Sequence, residues 1–211
     1  MTKSGKLMET KLTRISELSA KNPSMKFMGL MPHFTEENLI RCFHELDGKK
    51  ATGVDQISKD KYGENLTSNI ASLVSRLKSL SYRPKPSKEV LIPKGNGKTR
   101  PLGISSIEDK VVEMMCKKLL EAIYEPVFSG SSFGFRKGRN CHQAIAKLHS
   151  TLSKGPRWTI VDLDLENFFG TIDHEKLRAI LSLKIRDKRF LRFIVRMLKS
   201  DILGEEGLRK R

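Results

Sequence analysis

The stretch 158–174 constrains the fold most, because acidic residues follow directly after an apolar segment. Residues 158–161 are aromatic or β-branched, which predicts a buried strand. Asp162 and Asp164 come next, and alternation along a strand places both side chains on one face. A carboxylate at the end of a buried strand is costly unless it meets a cation, a metal ion or water. The spacing alone therefore leaves two interpretations open: a metal-binding site, or solvated strand-end carboxylates followed by a helix cap at Asp173.

The charge balance predicts a polyanionic partner. The chain has 40 Lys and Arg against 24 Asp and Glu, a formal net charge of +16. Nucleic acid is the commonest partner of such a surface, and an anionic membrane is the alternative. No apolar run approaches the roughly 18 residues of a membrane span, and no signal-peptide segment is recognisable, so we expect no membrane partner.

Cysteine usage predicts the compartment. The three cysteines are far apart in the chain and odd in number, which argues against a disulfide framework or a zinc site. This pattern fits a reducing intracellular setting. We expect a cytoplasmic protein, with association to the nucleoid as a variant of that prediction.

A basic β-hairpin is predicted in the most cationic part of the sequence. Residues 89–93 and 99–104 have the pattern of strands, and Gly95-Asn96-Gly97 is a strong turn signal between them. Gly97-Lys98-Thr99 resembles part of a phosphate-binding P-loop. That motif needs a glycine where Ile92 stands and a helix after the loop, so we reject this interpretation.

Apolar periodicity and capping residues predict that helices make up most of the remaining chain, which gives an α+β fold class. The loop between residues 129 and 140 combines flexibility, aromatics and cations, which suits a nucleic-acid backbone with stacked bases; an ordinary surface loop is the alternative. The last helix is basic on one side, by default a solvated face and otherwise a nucleic-acid face. The predicted helices cover residues 7–20, 36–46, 65–80, 109–123, 141–151, 174–183 and 187–200.

Four stretches resemble, in order, successive blocks of reverse transcriptases of the group II intron type. They are Lys-Lys-Ala-Thr-Gly-Val-Asp (49–55), Tyr-Arg-Pro-Lys-Pro with Ile-Pro-Lys and Arg-Pro-Leu-Gly-Ile (82–104), Ile-Tyr-Glu-Pro-Val-Phe with Ser-Phe-Gly-Phe-Arg and Cys-His-Gln-Ala (123–144), and the carboxylate block 164–174. The resemblance implies a right-hand polymerase fold. It divides the chain into an N-terminal extension (1–33), a helix-rich fingers region with a β-hairpin (34–150) and the first part of a palm with an incomplete sheet (151–211).

The sequence departs from that family in three places. Lys137 stands where the family usually has proline, and Gly170 where it usually has aspartate. The family's second carboxylate motif, an aromatic-Ala-Asp-Asp turn, is absent, since the sequence contains no Asp-Asp pair. We therefore expect only the N-terminal part of such an enzyme: a truncated chain, a degenerate gene or one piece of a split enzyme.

The resemblance also implies a set of site residues. Asp164 would be the catalytic carboxylate and a ligand of Mg²⁺, or alternatively Mn²⁺, with the backbone carbonyl of Leu165 as a weaker ligand. Lys94 and Arg100 would bind the nucleoside triphosphate. Phe169 stands where the family places the aromatic that excludes a ribose 2′-hydroxyl, with Phe168 as second choice. The residues expected to contact nucleic acid are Lys85, Lys88, Lys98, Arg136 and Arg139.

The implied activity is RNA-directed DNA polymerisation with two Mg²⁺ ions, and its partners are an RNA template, a DNA primer, a dNTP and intron RNA. A non-catalytic RNA-binding fragment that assists splicing, like a maturase, is the first alternative. An unrelated basic RNA-binding domain is the second. An incomplete palm sheet exposes apolar surface, so we also expect a homodimer or a complementing C-terminal half.

Overall fold

The computed structural model describes residues 3–95, 97–155 and 159–210, and it confirms the α+β class with helices in the majority. All seven predicted helices are present, and two short ones, α3 and α7, were not predicted. No helix in these ranges is long and apolar enough to cross a membrane. The helices are α1 (Lys3–Lys21), α2 (Glu36–Glu45), α3 (Lys59–Gly63), α4 (Leu66–Lys78), α5 (Ile107–Tyr124), α6 (Cys141–Leu152), α7 (Phe168–Thr171), α8 (His174–Ser182) and α9 (Lys188–Leu198), with 3-10 turns at Met31–His33 and Glu125–Val127.

Polar side chains fix where the helices begin. The hydroxyl of Thr35 accepts a hydrogen bond from the Asn38 N–H at the start of α2. Asn140 and Gln143 form a reciprocal capping box on α6. Ser106 caps α5, which therefore begins two residues earlier than the sequence predicts. These caps satisfy backbone donors that the first turn of a helix leaves free.

A single hydrophobic core joins elements from both ends of the chain. Apolar side chains of α2, α4 and α5 pack together, and α1 lies along α5. Helix α9 returns to this core, where Phe193 contacts the rings of Phe34 and Tyr82, with centroids 5.5 and 5.8 Å apart. Because α1 and α9 share one core with α5, the predicted boundaries at residues 33 and 150 do not separate independent cores.

The β-hairpin is present and forms part of a four-stranded sheet. Strands β1 (Ser87–Lys94) and β2 (Lys98–Ile104) pair antiparallel, which confirms strands on both sides of Gly97 and the rejection of a P-loop. Two short strands that the sequence did not predict, β3 (Ile202–Gly204) and β4 (Gly207–Arg209), extend the sheet in the order β2-β1-β3-β4. Strand β3 runs parallel to β1, and Arg209 forms an ion pair with Glu89.

One buried carboxylate holds both ends of the hairpin. Asp109, in the first turn of α5, is 2% exposed. It accepts hydrogen bonds from the Tyr82 and Ser106 hydroxyls, the latter at 2.6 Å, and from the Lys85 backbone N–H at 3.1 Å. Lys85 precedes β1 and Ser106 follows β2. The Asp109 carboxylate therefore ties the entry and the exit of the hairpin to α5.

The loop 49–55 packs against the same place. A Cβ on Gly53 would lie 2.6 Å from the backbone N and Cα of Ser106, so only glycine fits there. Lys110 donates to the Ala51 carbonyl at 2.6 Å, and Asp55 pairs with Lys85 at 2.8 Å. The first resembling block is therefore a support for the base of the hairpin.

The prediction of a buried strand at 158–161 is wrong for the residues that the structure describes. Residues 159–165 have no regular secondary structure and pair with no strand in the described ranges, and Trp158 lies outside them. Ile160 and Val161 are 68% and 74% exposed. A strand needs a hydrogen-bonded neighbour and a covering layer, and neither is provided here, so β-propensity alone does not form one.

Replacing Asp109 with alanine should destabilise the fold strongly. The change leaves the Tyr82 and Ser106 hydroxyls and the Lys85 N–H without their acceptor. We expect the free energy of unfolding to fall by about 3 kcal/mol in urea titrations. The exposed Asp60→Ala change should cost about 0.5 kcal/mol or less. Equal effects of the two variants would contradict the assigned role of Asp109.

Candidate functional site

One face of the hairpin carries four of the cations that the sequence singled out. In the β1–β2 register, Lys88 opposes Ile104, Ile92 opposes Arg100 and Lys94 opposes Lys98. Directly opposed residues share a face, and so do alternate residues of one strand. Lys88, Lys94, Lys98 and Arg100 therefore lie on the same side of the hairpin, and we call this surface the cationic face.

The charges of the cationic face are solvent-accessible. All four side chains are exposed, and among the residues that the structure describes none of them forms an ion pair. Four cations that share one face of a stiff hairpin repel one another and attract a polyanion. The structure therefore brings together the predicted triphosphate contacts, Lys94 and Arg100, with two predicted nucleic-acid contacts, Lys88 and Lys98.

Lys85 differs from the other predicted contacts. Its Nζ atom lies 2.8 Å from the Asp55 carboxylate, whose side chain is 12% exposed. A lysine already paired in this way offers less net charge to a ligand. The structure thus places Lys85 in the support beneath the hairpin, and its role as a nucleic-acid contact stays a prediction.

The loop 129–139 is held in shape by Arg136. Its guanidinium pairs with Glu125 at 2.8 Å and donates to the carbonyls of Ser129 and Ser132 at 2.8 and 2.9 Å. The Arg136 side chain is 8% exposed and lies over the ring of Phe128. Its direct contact with nucleic acid stays untested, but its internal bonds show that it positions the loop.

The other side chains of this loop differ in exposure. Arg139 is half-buried and stacks over the Phe133 ring at 5.3 Å. Phe135 is 100% exposed, and its φ of +56° is unfavourable for a bulky residue. Its ring meets that of Phe169 edge to face, with centroids 6.2 Å apart. Since Phe169 belongs to the carboxylate block, this contact joins two stretches that the sequence placed in separate motifs.

The carboxylate block itself is open to solvent. Asp164 and Leu165 lie in the irregular segment before the short helix α7, and both are exposed. In α7, Phe168 and Phe169 contact each other with centroids 5.4 Å apart. The Asn167 side chain occupies the space beside Gly170 that a Cβ would need, so an aspartate at position 170 would require Asn167 to move.

The donor set around Asp164 is made of hard oxygen atoms. Mg²⁺ prefers such ligands and is commonly held by one or two carboxylates together with substrate phosphates, so the Asp164 carboxylate and the Leu165 carbonyl are chemically suited to it. Within the described part of the chain, no group of three or more His, Cys, Asp or Glu side chains is placed to hold a metal ion.

An apolar cleft of about 780 Å³ opens next to the base of the hairpin. Leu120 and Tyr124 of α5, Leu181 of α8 and Met197 of α9 are among its lining residues. Large exposed apolar side chains also concentrate between residues 128 and 183, including Ile145 and Leu163. The palm boundary expected from the resemblance stays a prediction.

Sequence reasoning missed two features of the site. The first is the role of Asp109, although Ser106-Ile-Glu-Asp109 is a recognisable capping signal. The second is the contact between Phe135 and Phe169, for which no local signal exists because the two residues are distant in the chain. Tertiary contacts of this kind appear only in the structure.

The described structure is an α+β fold in which a helical core supports a cationic β-hairpin and the carboxylate block is exposed to solvent. The profile of the family described as reverse transcriptase (RNA-dependent DNA polymerase) matches residues 92–209. The chain therefore belongs to the reverse transcriptases, and its relatives place it with those of the group II intron type. The family uses divalent metal ions.

Three relatives illustrate this placement. The chain is 32% identical over 194 residues to the group II intron-encoded protein LtrA of Lactococcus lactis subsp. cremoris, an alignment that covers 91% of the chain and 32% of LtrA. It is 30% identical over 196 residues to protein YkfC of Escherichia coli (strain K12), covering 89% and 51%. It is 41% identical over 136 residues to an uncharacterized 91 kDa protein in the cob intron of Schizosaccharomyces pombe, covering 64% and 17%. The chain thus spans between 17% and 51% of the lengths of these relatives.

Changing Arg136 to glutamine should loosen the loop 129–139. The variant loses charge-assisted hydrogen bonds worth about 1.5–3 kcal/mol, so amide hydrogen exchange in the loop should speed up by about tenfold or more. Lys137→Gln removes the same charge from the same loop and serves as the control, because Lys137 is exposed. If both variants exchange at the wild-type rate, Arg136 does not position the loop.

Proposed function

We propose that this chain carries the first part of an RNA-directed DNA polymerase of the group II intron type. The observation that carries the proposal is the placement of Lys94 and Arg100 on one cationic face with Lys88 and Lys98, in a chain that belongs to the reverse transcriptases. In this proposal Asp164 and the Leu165 carbonyl hold Mg²⁺, with Mn²⁺ as the alternative.

The reaction joins a primer 3′-hydroxyl to the α-phosphate of a dNTP and releases pyrophosphate. Lys94 and Arg100 would bind the triphosphate and offset the negative charge that develops on the leaving oxygens. Bound Mg²⁺ would assist deprotonation of the hydroxyl and neutralise phosphate charge. Phe169, or else Phe168, would exclude a ribose 2′-hydroxyl by occupying its space.

The template and primer would lie along the cationic face and the loop 129–139. Lys88 and Lys98 would contact phosphates, whereas the exposed ring of Phe135 offers a surface on which a base can stack. Arg139 would add charge at the edge of the loop. In this arrangement, Arg136 and Lys85 support the contact surfaces through their internal ion pairs.

The second candidate function is RNA binding without catalysis, as in a protein that assists intron splicing. One relative, 30% identical over 92 residues, is nuclear intron maturase 1, mitochondrial, of Arabidopsis thaliana. The observation that favours this function is that the cationic face is supported by Asp109 and the core, independently of the carboxylate block. RNA binding therefore requires no ordered metal site.

The carboxylate assignment predicts a specific loss of activity. Asp164→Asn should lower Mg²⁺-dependent primer extension on an RNA template by at least about 10²–10³-fold, the effect of removing one oriented electrostatic group. RNA affinity should not fall, because a negatively charged Asp164 side chain repels phosphate and its neutralisation removes no attractive contact. Glu166→Gln, a neighbouring exposed carboxylate, is the control.

Primer extension also distinguishes the two candidate functions. Extension that persists in Asp164→Asn contradicts the catalytic assignment. A wild-type chain that binds RNA but extends no primer would replace the polymerase proposal with the binding function.

The cationic face predicts a salt dependence. Lys88→Gln combined with Lys98→Gln should reduce the slope of log affinity for RNA against log salt by about 2, since each phosphate contact contributes about 1. The control is Lys61→Gln combined with Lys117→Gln, two exposed lysines that pair with Glu64 and Glu121. An equal slope in both double variants would remove the hairpin from the interface.

A further inference from the structure

A second group of cations, none of which has been given a function above, lies where the end of α4 meets α9. Four of its five members are arginines, and they surround the turn 79–83 between α4 and β1. We call this group the arginine cluster; it consists of Lys78, Arg83, Arg189, Arg192 and Arg196.

Backbone carbonyl groups hold the guanidinium groups of this cluster close together. Arg196 donates from Nη1 to the carbonyls of Leu80 and Tyr82, both at 2.9 Å. Arg83 donates from its own Nη1 to the same two carbonyls, both at 3.1 Å. Two positive groups therefore converge on one pair of oxygen atoms, and most of their N–H donors stay unused by these bonds, because a guanidinium has five.

Positive φ at Leu80 helps to build this arrangement. The φ of +60° is unfavourable for a leucine, and it accompanies the turn whose carbonyls receive the arginines. Arg189 adds a further bond from Nη2 to the Lys78 carbonyl at 3.2 Å. Strain at a non-glycine residue that gathers like charges is typical of a binding site.

No carboxylate neutralises the cluster within the described residues. None of its five members forms an ion pair there. Asp187, at the start of α9, is buried and accepts from the backbone N–H groups of Leu30, Arg189 and Phe190. Burial, together with the charges of Arg83 and Arg192, lowers the pKa of Arg196, as expected where like charges crowd.

The surroundings of the cluster favour a phosphate backbone as its ligand. No large hydrophobic side chain of residues 76–86 or 186–200 is strongly exposed, so no apolar side chain here can insert into a bilayer. Guanidinium groups match phosphate oxygens in geometry. Arg83, Arg189 and Arg196 are bonded to the backbone, so their spacing is fixed, which suits the regular phosphate spacing of folded RNA.

We propose that the arginine cluster is a second RNA-binding surface, which contacts the sugar-phosphate backbone of folded RNA without reading its sequence. It shares no residue with the cationic face, so the chain would bind RNA through two surfaces. The inference rests on the proposed function only in that the ligand is RNA, and it holds for either candidate function.

Arg192 gives the most specific test, because its side chain is exposed and forms no hydrogen bond or ion pair within the described residues. The 211-residue chain is titrated with a labelled RNA hairpin at several salt concentrations. Arg189→Gln combined with Arg192→Gln should reduce the salt slope by about 2, and Arg192→Gln alone by about 1. The reduction in the salt slope should be the same for an RNA hairpin of unrelated sequence, because the cluster is proposed to contact the sugar-phosphate backbone only.

Arg178→Gln is the matched control, since Arg178 is an exposed arginine that pairs with Glu175 on α8. Thermal melting checks that each variant folds. Affinity and slope equal to those of the control overturn the inference. So does a loss confined to binding of phosphatidylserine vesicles or polyglutamate, which would identify a membrane or an acidic protein as the partner.

The outcomes also separate this inference from the proposed function. If only the Lys88 and Lys98 variant changes the slope, the second surface is overturned and the first stands. If only the arginine variants change the salt slope, the cationic face is overturned as an RNA-binding surface and the arginine cluster stands. A wild-type chain that binds no RNA overturns both surfaces.

Discussion

The buried carboxylate of Asp109 is the interaction on which the rest of this structure depends. It accepts from Tyr82, Ser106 and Lys85, which lie on the two sides of the hairpin. Burial raises the pKa of Asp109, and the hydrogen bonds from these donors oppose that shift. Neutral donors thus satisfy the carboxylate, and the cations of the hairpin stay available for a ligand.

The first turn of α5 carries a second acidic side chain, Glu108, which also binds neighbouring elements. Glu108 pairs with Arg76 of α4 at 2.7 Å and accepts from the Tyr62 hydroxyl at 3.3 Å. Negative side chains at a helix N-terminus are favoured by the helix dipole. In consequence α5 links α3, α4 and the hairpin through polar contacts while its other side fills the core. The carboxylates of Glu108 and Asp109 thus hold α4 and the hairpin, with its cationic face, in place from the inside of the fold.

The two halves of the candidate site differ in how they are held. The cationic face is fixed by a sheet, a buried carboxylate and a shared core, whereas residues 159–165 have no pairing within the described chain. Large apolar side chains of this segment, such as Leu163, are exposed. The surface proposed to bind RNA is therefore held by more contacts than the segment proposed to hold the metal ion.

Local signals in the sequence predicted most of the secondary structure but not its tertiary use. The capping residues and apolar periodicity located the seven longer helices, and Gly95-Asn96-Gly97 located the hairpin, because each of these signals acts within a few residues. The strand at 159–161 was wrong because β-branched residues need a neighbouring strand, which the sequence pattern cannot supply. Strands β3 and β4 were missed because three residues carry too little pattern.

Local sequence signals also fail to show which cations are paired in the folded chain. The resemblance implied that Lys85 and Arg136, together with Lys88 and Lys98, contact nucleic acid, yet only the structure shows that the first two are bound internally. Whether a cation is paired depends on carboxylates that are distant in sequence. For Arg136 the partner is Glu125, and for Lys85 it is Asp55.

The parallel pairing of β1 with β3 has a consequence for synthesis. Ser87 and Lys88 of β1 pair with Ile202 and Leu203 of β3, and the side-chain bond between Glu89 and Arg209 joins residues 120 positions apart, so the sheet is completed only after β3 and β4 have been synthesised. Closing so long a loop is entropically costly and slow. During translation the edge of β1 that β3 later covers therefore stays unpaired.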